Sequence, residues 1–294
     1  MKDIIKVAAV NFFPETKDIN LSKMESFIKR ASEKNIDLLL FPEMCLTGYD
    51  MYIDETISRT EKILMAETLS GPSVKRIESL SIKYGMYIIF GMPEQDGFLL
   101  FNSAVVTGPE GIIGSYRKIH PFGPELTWCE KGDTPFMFDT PWGRIGIGIC
   151  YDTYQFPEIM RYCTYKGCRL YLNPTALPEE TDKEGSRAAF LDYYRPMLEY
   201  GTLCNTIFIA SSNLTGRDRF STFGGGSVII GPRPSEFYET QVMTYGGDFD
   251  CIYEGIYDAE LDLSAASRRL CIPRRQTGTP DFRPDIYRRM YEEE

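Results

Sequence analysis

The chain has 294 residues, enough to bury one large core or two modest ones, and its 43% hydrophobic and 25% charged residues suit an ordinary globular protein. A formal charge of −10 argues against nucleic acid or an anionic membrane as a partner, since both reward clustered Lys and Arg. The opening IIKVAAVNFF run is too short for a signal peptide or a membrane span, and the eight cysteines contain no CxxC pair, so a reducing cytoplasm is the expected location.

Residues 4–12 read as a buried first strand. Leu21, Met24, Phe27, Ile28 and Ala31 recur at helical spacing and predict an amphipathic helix over 20–32. The apolar run 36–41, closed by Pro42, predicts a second buried strand. Ser70-Gly71-Pro72-Ser73 is a helix-start signal ahead of VKRIESLSIKYG, and 86–91 is a third strand. Residues 98–107 and 112–119 form a strand pair joined around Pro109-Glu110-Gly111. In the second half, a strand runs up to Cys150. Tyr151-Asp152-Thr153 then reads as a polar turn, and a helix runs from Pro157 through Lys166 to a stop at Gly167. Residues 169–172 lead into Asn173-Pro174, 183–203 are compatible with a long helix, and 206–211 form another buried strand. Later strands are expected at 226–230, 241–245 and 252–261. With no linker, low-complexity segment or repeat, residues 1–275 are expected to form one domain. Residues 276–294 are then a C-terminal tail, its final Glu292-Glu293-Glu294 solvated. The alternation of strands and helices with mixed pairing predicts an α/β layered architecture.

The stretch RIGIGICYDTYQFPE organises the rest. Ile145, Ile147 and Ile149 alternate with Gly146 and Gly148, a strand that other groups can approach closely on its glycine face. Cys150 therefore stands where a buried strand turns toward a helix, a rigid and exposed seat for a nucleophile with backbone donors nearby. Taken alone, it reads first as a small apolar core residue. Glu43 follows the second strand in FPE, where a carboxylate overlooks the open end of an α/β sheet. Lys118 lies in SYRKIHPFGPE, alternating so that it shares a face with His120 and opposes Arg117. An ammonium beside Cys150 would stabilise a thiolate and an oxyanion. His120 is the only histidine, so any Cys/His site must use it, and an all-His metal site within one chain is excluded. Gly224-Gly225-Gly226 lacks the Lys-Ser/Thr of a phosphate loop and reads as close backbone packing.

FPE at Glu43, YRKIH at Lys118 and GIGICYDTYQFPE at Cys150, in that order, resemble the nitrilase superfamily of carbon–nitrogen hydrolases. VAAVNF, NPTA at Asn173, NTIFIASSN, GGGSVIIGP and IYDAELDL extend the likeness over nearly the whole chain. The resemblance implies a single-domain αββα sandwich that doubles to αββααββα in a homodimer or higher oligomer. It also implies a Glu43-Lys118-Cys150 triad, with Glu125 as the second glutamate near the lysine. Glu43 is then the base, Cys150 the nucleophile, and Lys118 with the Tyr151 backbone N–H the oxyanion holder. Tyr49 and Asn173 are assigned to the surroundings of substrate and oxyanion. No metal or organic cofactor is implied.

The sequence departs from the family at MLEYGTLCN, where Glu199 and Gly201 replace arginines common in other members. Tyr151-Asp152 resembles the amidase branches rather than true nitrilases, which usually carry Trp-Glu there. The leading expectation is hydrolysis of a small linear amide, aliphatic or ω-amidase-like, through a cysteine thioester that releases ammonia or an amine and an acid. N-carbamoyl amine hydrolysis and nitrile hydrolysis use the same triad. Acyl transfer to an amine and a catalytically silent interaction protein are the alternatives of other kinds.

Overall fold

In the computed structural model, which describes residues 2–179, 186–233, 239–247 and 253–292, β1 (Ile4–Asn11) divides its side chains between two cores. Ile5, Val7 and Ala9 join the packing between two sheets, while Ala8 and Val10 meet Met24, Phe27 and Ile28 of α1 (Lys17–Glu33). The division follows from the period of two along a strand, and burial on both faces explains why the segment is apolar throughout. Each large aliphatic side chain so buried contributes about 1.5–3 kcal/mol.

The first half continues through β2 (Leu38–Leu40), α2 (Asp50–Ile53), α3 (Arg59–Met65) and α4 (Pro72–Tyr84). It then runs through β3 (Tyr87–Asp96), β4 (Leu99–Gly108) and β5 (Gly111–Arg117). The second half comprises β6 (Phe136–Thr140), β7 (Gly143–Ile147), α5 (Tyr151–Gln155), α6 (Pro157–Tyr165), β8 (Leu170–Thr175) and α7 (Ser186–Asn205). After these come β9 (Phe208–Asn213), β10 (Thr215–Arg217), β11 (Thr222–Gly224), β12 (Val228–Pro232), β13 (Thr240–Tyr245), β14 (Gly255–Asp262) and α8 (Pro284–Glu292).

Among the described residues two six-stranded sheets result, in the orders β14-β1-β2-β3-β4-β5 and β13-β12-β9-β8-β7-β6, with a small β10-β11 ribbon beside them. In the first sheet β1, β2 and β3 run parallel and the flanking pairs are antiparallel. The second repeats that scheme around β7, β8 and β9. The chain thus carries an architectural repeat that its sequence conceals, because the two halves share pairing and not side chains. Helices α1 and α4 cover one outer face and α6 and α7 the other, giving a single-domain αββα sandwich. Among the described residues, no helix is long and apolar enough to cross a membrane.

Several sequence expectations need amendment. Tyr151-Asp152-Thr153 is not a turn before the helix but the start of α5, and Pro157 opens a separate α6. β8 runs on through Asn173 and Pro174, which the sequence placed beyond the strand. β3 extends to Asp96, five residues past its expected end, because it pairs with β4 along its whole length. Residues 226 and 227 lie before β12, and β6, β10 and β11 are strands the pattern did not announce. The expected starts of the 183–203 helix and the 252–261 strand, and the last residues of the acidic tail, fall outside the described residues.

Candidate active site

Glu43 owes its position to an extension of the sheet beyond β2. The Phe41 backbone N–H donates to the Ile89 carbonyl at 2.8 Å, and Gly91 N–H donates to the Pro42 carbonyl at 3.1 Å. A Cβ at Gly91 would lie 2.6 Å from Glu43 Cα, so only glycine lets β3 pass this close. Met44 then turns the chain with φ of 54°, left-handed backbone at a non-glycine residue. The outcome is a carboxylate only 1% exposed at the end of a parallel strand.

Lys118 is equally buried, one residue past β5, its N–H donating to the Asn102 carbonyl at 2.8 Å. Its Nζ donates to Glu43 Oε1 at 2.7 Å and to Glu125 Oε2 at 2.8 Å. Glu125 sits in a 3₁₀ turn, Gly123–Thr127, and also accepts the Phe122 backbone N–H at 2.6 Å and the Tyr49 hydroxyl at 2.7 Å. Asn102, on β4, completes the cluster by donating to Glu43 Oε1 at 2.8 Å and Glu125 Oε1 at 2.7 Å. Glu43 Oε2 is buried and has no hydrogen-bond partner among the described residues.

Cys150 approaches from the other sheet. Its φ of 48° is strained for a residue with a side chain, and hydrogen bonds of its own N–H and of its neighbour Ile149 hold it there. Its N–H is shared between the Pro174 carbonyl and Asn173 Oδ1, each at 3.0 Å. Asp152 Oδ2 accepts the Ile149 N–H at 3.3 Å and the Tyr116 hydroxyl at 2.8 Å. The glycine face of the strand is used as the alternating pattern suggests: a Cβ at Gly146 would lie 2.7 Å from Cys163 Cβ of α6. Thr175 and the Ala176 backbone act on the Cys150 thiol in the downward direction.

The electrostatics are those of two carboxylates sharing one ammonium. Burial raises Glu43, with Glu125 adding to it, and Lys118 offsets this only in part. Burial also acts upward on Glu125, but Lys118, the Phe122 N–H and Tyr49 outweigh it and hold Glu125 below its ordinary value. Burial alone would lower Lys118, yet Glu125 and Glu43 keep it well above its ordinary value. Burial and Glu43 push the Cys150 thiol up, against the pull of Lys118. The ammonium is engaged by two carboxylates, and burial with the Glu43 charge works against the thiolate that Lys118 favours.

Glu43, Lys118, Cys150, Glu125, Tyr49 and Tyr151 line one cavity of about 370 Å³, while Asn173 lies beneath Cys150. His120 is elsewhere. The strand ends at Arg117, so alternation does not carry to His120. Its Nδ1 lies 2.8 Å from Asp152 Oδ1, and its ring stacks on Phe156 at 3.5 Å. Asn102, Asp152, Tyr116, Thr175 and Tyr154 take part in the site's hydrogen bonding without having been singled out from the sequence. The NPTA and CYD stretches pointed at the neighbourhood of three of them, and nothing in the pattern of β4 marked Asn102. Among the described residues, no group of three or more His, Cys, Asp or Glu side chains could hold a metal ion.

The αββα sandwich thus brings a buried acid, lysine and cysteine to one cavity, from the ends of strands in both sheets. The chain matches the carbon-nitrogen hydrolase family over residues 6–235 and belongs to that family, within the nitrilase superfamily. It is 33% identical to a nitrilase of Pyrococcus abyssi over 264 residues, covering 88% of this chain and 90% of the relative. It is 28% identical to an omega-amidase of Xenopus tropicalis, covering 74% and 76%. Its fold is that of an amidase from Nesterenkonia sp., with a TM-score of 0.74 at 21% identity over 99% and 98% of the two chains.

Proposed function

We propose that this protein hydrolyses the carbon–nitrogen bond of a small linear amide through a Cys150 thioester. One observation carries the reading: Glu43 Oε2 is buried and unpartnered, in the cavity that also holds the Cys150 thiol and Lys118. Glu43 Oε1 is held by Lys118 and Asn102, which leaves Oε2 as the acceptor for the thiol proton. The sulfur then attacks the carbonyl carbon. Lys118 has three N–H groups and spends two on Glu43 and Glu125, so the third, with the Tyr151 backbone N–H, receives the oxyanion. Protonated Glu43 passes its proton to the departing nitrogen, and ammonia or an amine leaves a thioester. Water, losing a proton to Glu43, attacks the thioester, releases the acid and regenerates the thiol. Glu125 acts by orienting Lys118, and Tyr49 by orienting Glu125.

The enzyme acts in the cytoplasm as a homodimer or larger assembly, with residues 276–294 beyond the hydrolase domain packing on a partner. Tyr162, Tyr165 and Tyr200 on α6 and α7, and Tyr287, Met290 and Tyr291 on α8, are exposed and support this. Light scattering that gives the 33.6 kDa of a single chain contradicts it. The activity is tested by ammonia release from amides, carbamoyl amines and nitriles, beside Cys150→Ala. Turnover of an amide that the variant lacks is the expected result, and no turnover, or turnover that survives Cys150→Ala, overturns the reading.

A further inference from the structure

The cavity at Cys150 is walled by aromatic side chains drawn from distant parts of the chain. Tyr49 precedes α2, Phe122 precedes the 3₁₀ turn, Tyr151 and Tyr154 lie on α5, Tyr193 on α7 and Phe223 on β11. Several of their polar tips are already committed. The Tyr49 hydroxyl donates to Glu125 Oε1 at 2.7 Å, the Tyr154 hydroxyl accepts from Asn173 Nδ2 at 2.9 Å, and the Tyr193 hydroxyl accepts from Gln155 Nε2 at 2.8 Å. The rings also support one another, Phe122 against Tyr151 at 4.9 Å and Tyr154 against Tyr193 at 5.8 Å. Ring surface is most of what these residues have left to offer a ligand, beside the Tyr151 hydroxyl and the Tyr193 hydroxyl proton, which are neutral.

Charge in the wall is confined, among the described residues, to Glu43, Lys118 and Glu125, and these pair with one another. A carboxylate or ammonium at the far end of a short acyl chain would find no counter-ion among the described residues of the wall. Desolvating an unpaired ion is strongly unfavourable, whereas an apolar chain gains from the same surroundings. The room available, about 370 Å³, lies within the range of small-molecule pockets and exceeds what an acetyl group fills.

We infer that the acyl side of this site takes an uncharged apolar chain, aromatic or several carbons long, and discriminates against amides whose acyl group ends in a carboxylate or an ammonium. The inference rests on the hydrolase reading above for its chemistry and on the cavity wall for its selectivity. Its test compares hexanamide, phenylacetamide, the monoamides of succinate and glutarate, and 5-aminopentanamide in two arms. In the first, kcat/KM for ammonia release with the two neutral amides should exceed that with each charged one by about 100-fold or more. In the second, calorimetric binding to Cys150→Ala should follow the same order without requiring turnover. A charged amide that binds and reacts as well as phenylacetamide overturns the inference and leaves the hydrolase reading standing. The expected binding order without turnover does the reverse. Failure of all five compounds to bind also overturns the inference.

Discussion

Lys118 Nζ lies 2.7 Å from Glu43 Oε1, each side chain 1% exposed, joining the edge of one sheet to the end of its central parallel strands. The pair is not isolated, since Glu125 takes a second Lys118 N–H at 2.8 Å and Asn102 bridges both carboxylates. A buried ion pair gains little net stability over apolar packing, but losing one member leaves an uncompensated charge. Such a cluster is expected where chemistry, rather than stability, has use for it.

With Glu43 as the base, Glu43→Gln keeps the shape of the side chain but not its capacity to take the thiol proton. Turnover on an amide substrate should fall by roughly 10²–10⁴-fold. Lys118→Ala should be as severe, because it removes the oxyanion donor and leaves Glu43 and Glu125 facing each other unpaired. His120→Asn should cost far less, since His120 meets Asp152 and Phe156 rather than the cavity. The three kcat values, with folding checked by circular dichroism, decide the matter. Abolition by His120→Asn with Glu43→Gln nearly intact would put a Cys/His dyad in place of the triad.

Asn102→Leu removes the donor common to Glu43 and Glu125 while keeping a side chain of similar size. The two carboxylates lose their relative alignment, and kcat should fall by about 10–100-fold with a smaller change in KM. An unchanged kcat would reduce Asn102 to a packing role.

Activity and fold should respond to acid at different pH. Burial raises Glu43 above its ordinary 4.5, and the base form is the ionised one, so kcat/KM falls as pH drops through that raised pKa. For stability, Glu43 contributes below 4.5 and its contribution is lost as pH rises through the raised value. Glu125 is held below 4.5 in the folded protein, so its stabilisation is fully present above 4.5 and is lost as pH falls through the lowered value. The acid limb of kcat/KM should therefore lie above 4.5, at a higher pH than the loss of the circular dichroism signal. Coincidence of the two transitions would contradict these assignments.

Iodoacetamide should label Cys150 only as fast as Glu43 can take its proton. With Glu43 as the acceptor of the thiol proton, Glu43→Gln should slow alkylation at Cys150 by about tenfold or more, even though it also removes a charge that pushes the thiol up. Cys45, Cys163 and Cys168 are fully buried and should resist labelling in the native protein, while partly exposed Cys204 serves as the internal reference. Peptide mapping with time provides the rates, and equal labelling of Cys150 in both proteins would remove Glu43 from the step.

Gly91→Ala tests the backbone seat of Glu43. The added methyl would meet the Pro42–Met44 backbone, which has no flexible end to yield. A loss of about 1–3 kcal/mol in chemical denaturation is expected, together with lower activity because Glu43 is displaced. Full stability in the variant would show that β3 can move aside there.

Local sequence determined the elements whose signal is local. The apolar runs around Val7, Leu39 and Ile147, the helical spacing of Met24, Phe27 and Ala31, and the Gly71-Pro72 helix start all correspond to elements of the structure, because period and turn chemistry act over a few residues. Strand-end positions for Glu43, Lys118 and Cys150 were legible for the same reason. What the chain could not declare locally depends on neighbours distant in sequence. The extension of β3 needs β4, and the turn of His120 away from the cavity needs Asp152. Asn102 joins the site only because β4 passes between β3 and β5. The protonation of the site is of the same kind. Whether Lys118 activates the sulfur or neutralises two acids is a matter of which charges lie within 3 Å of it in a desolvated cluster, and only the tertiary structure brings Glu43 and Glu125 to that distance.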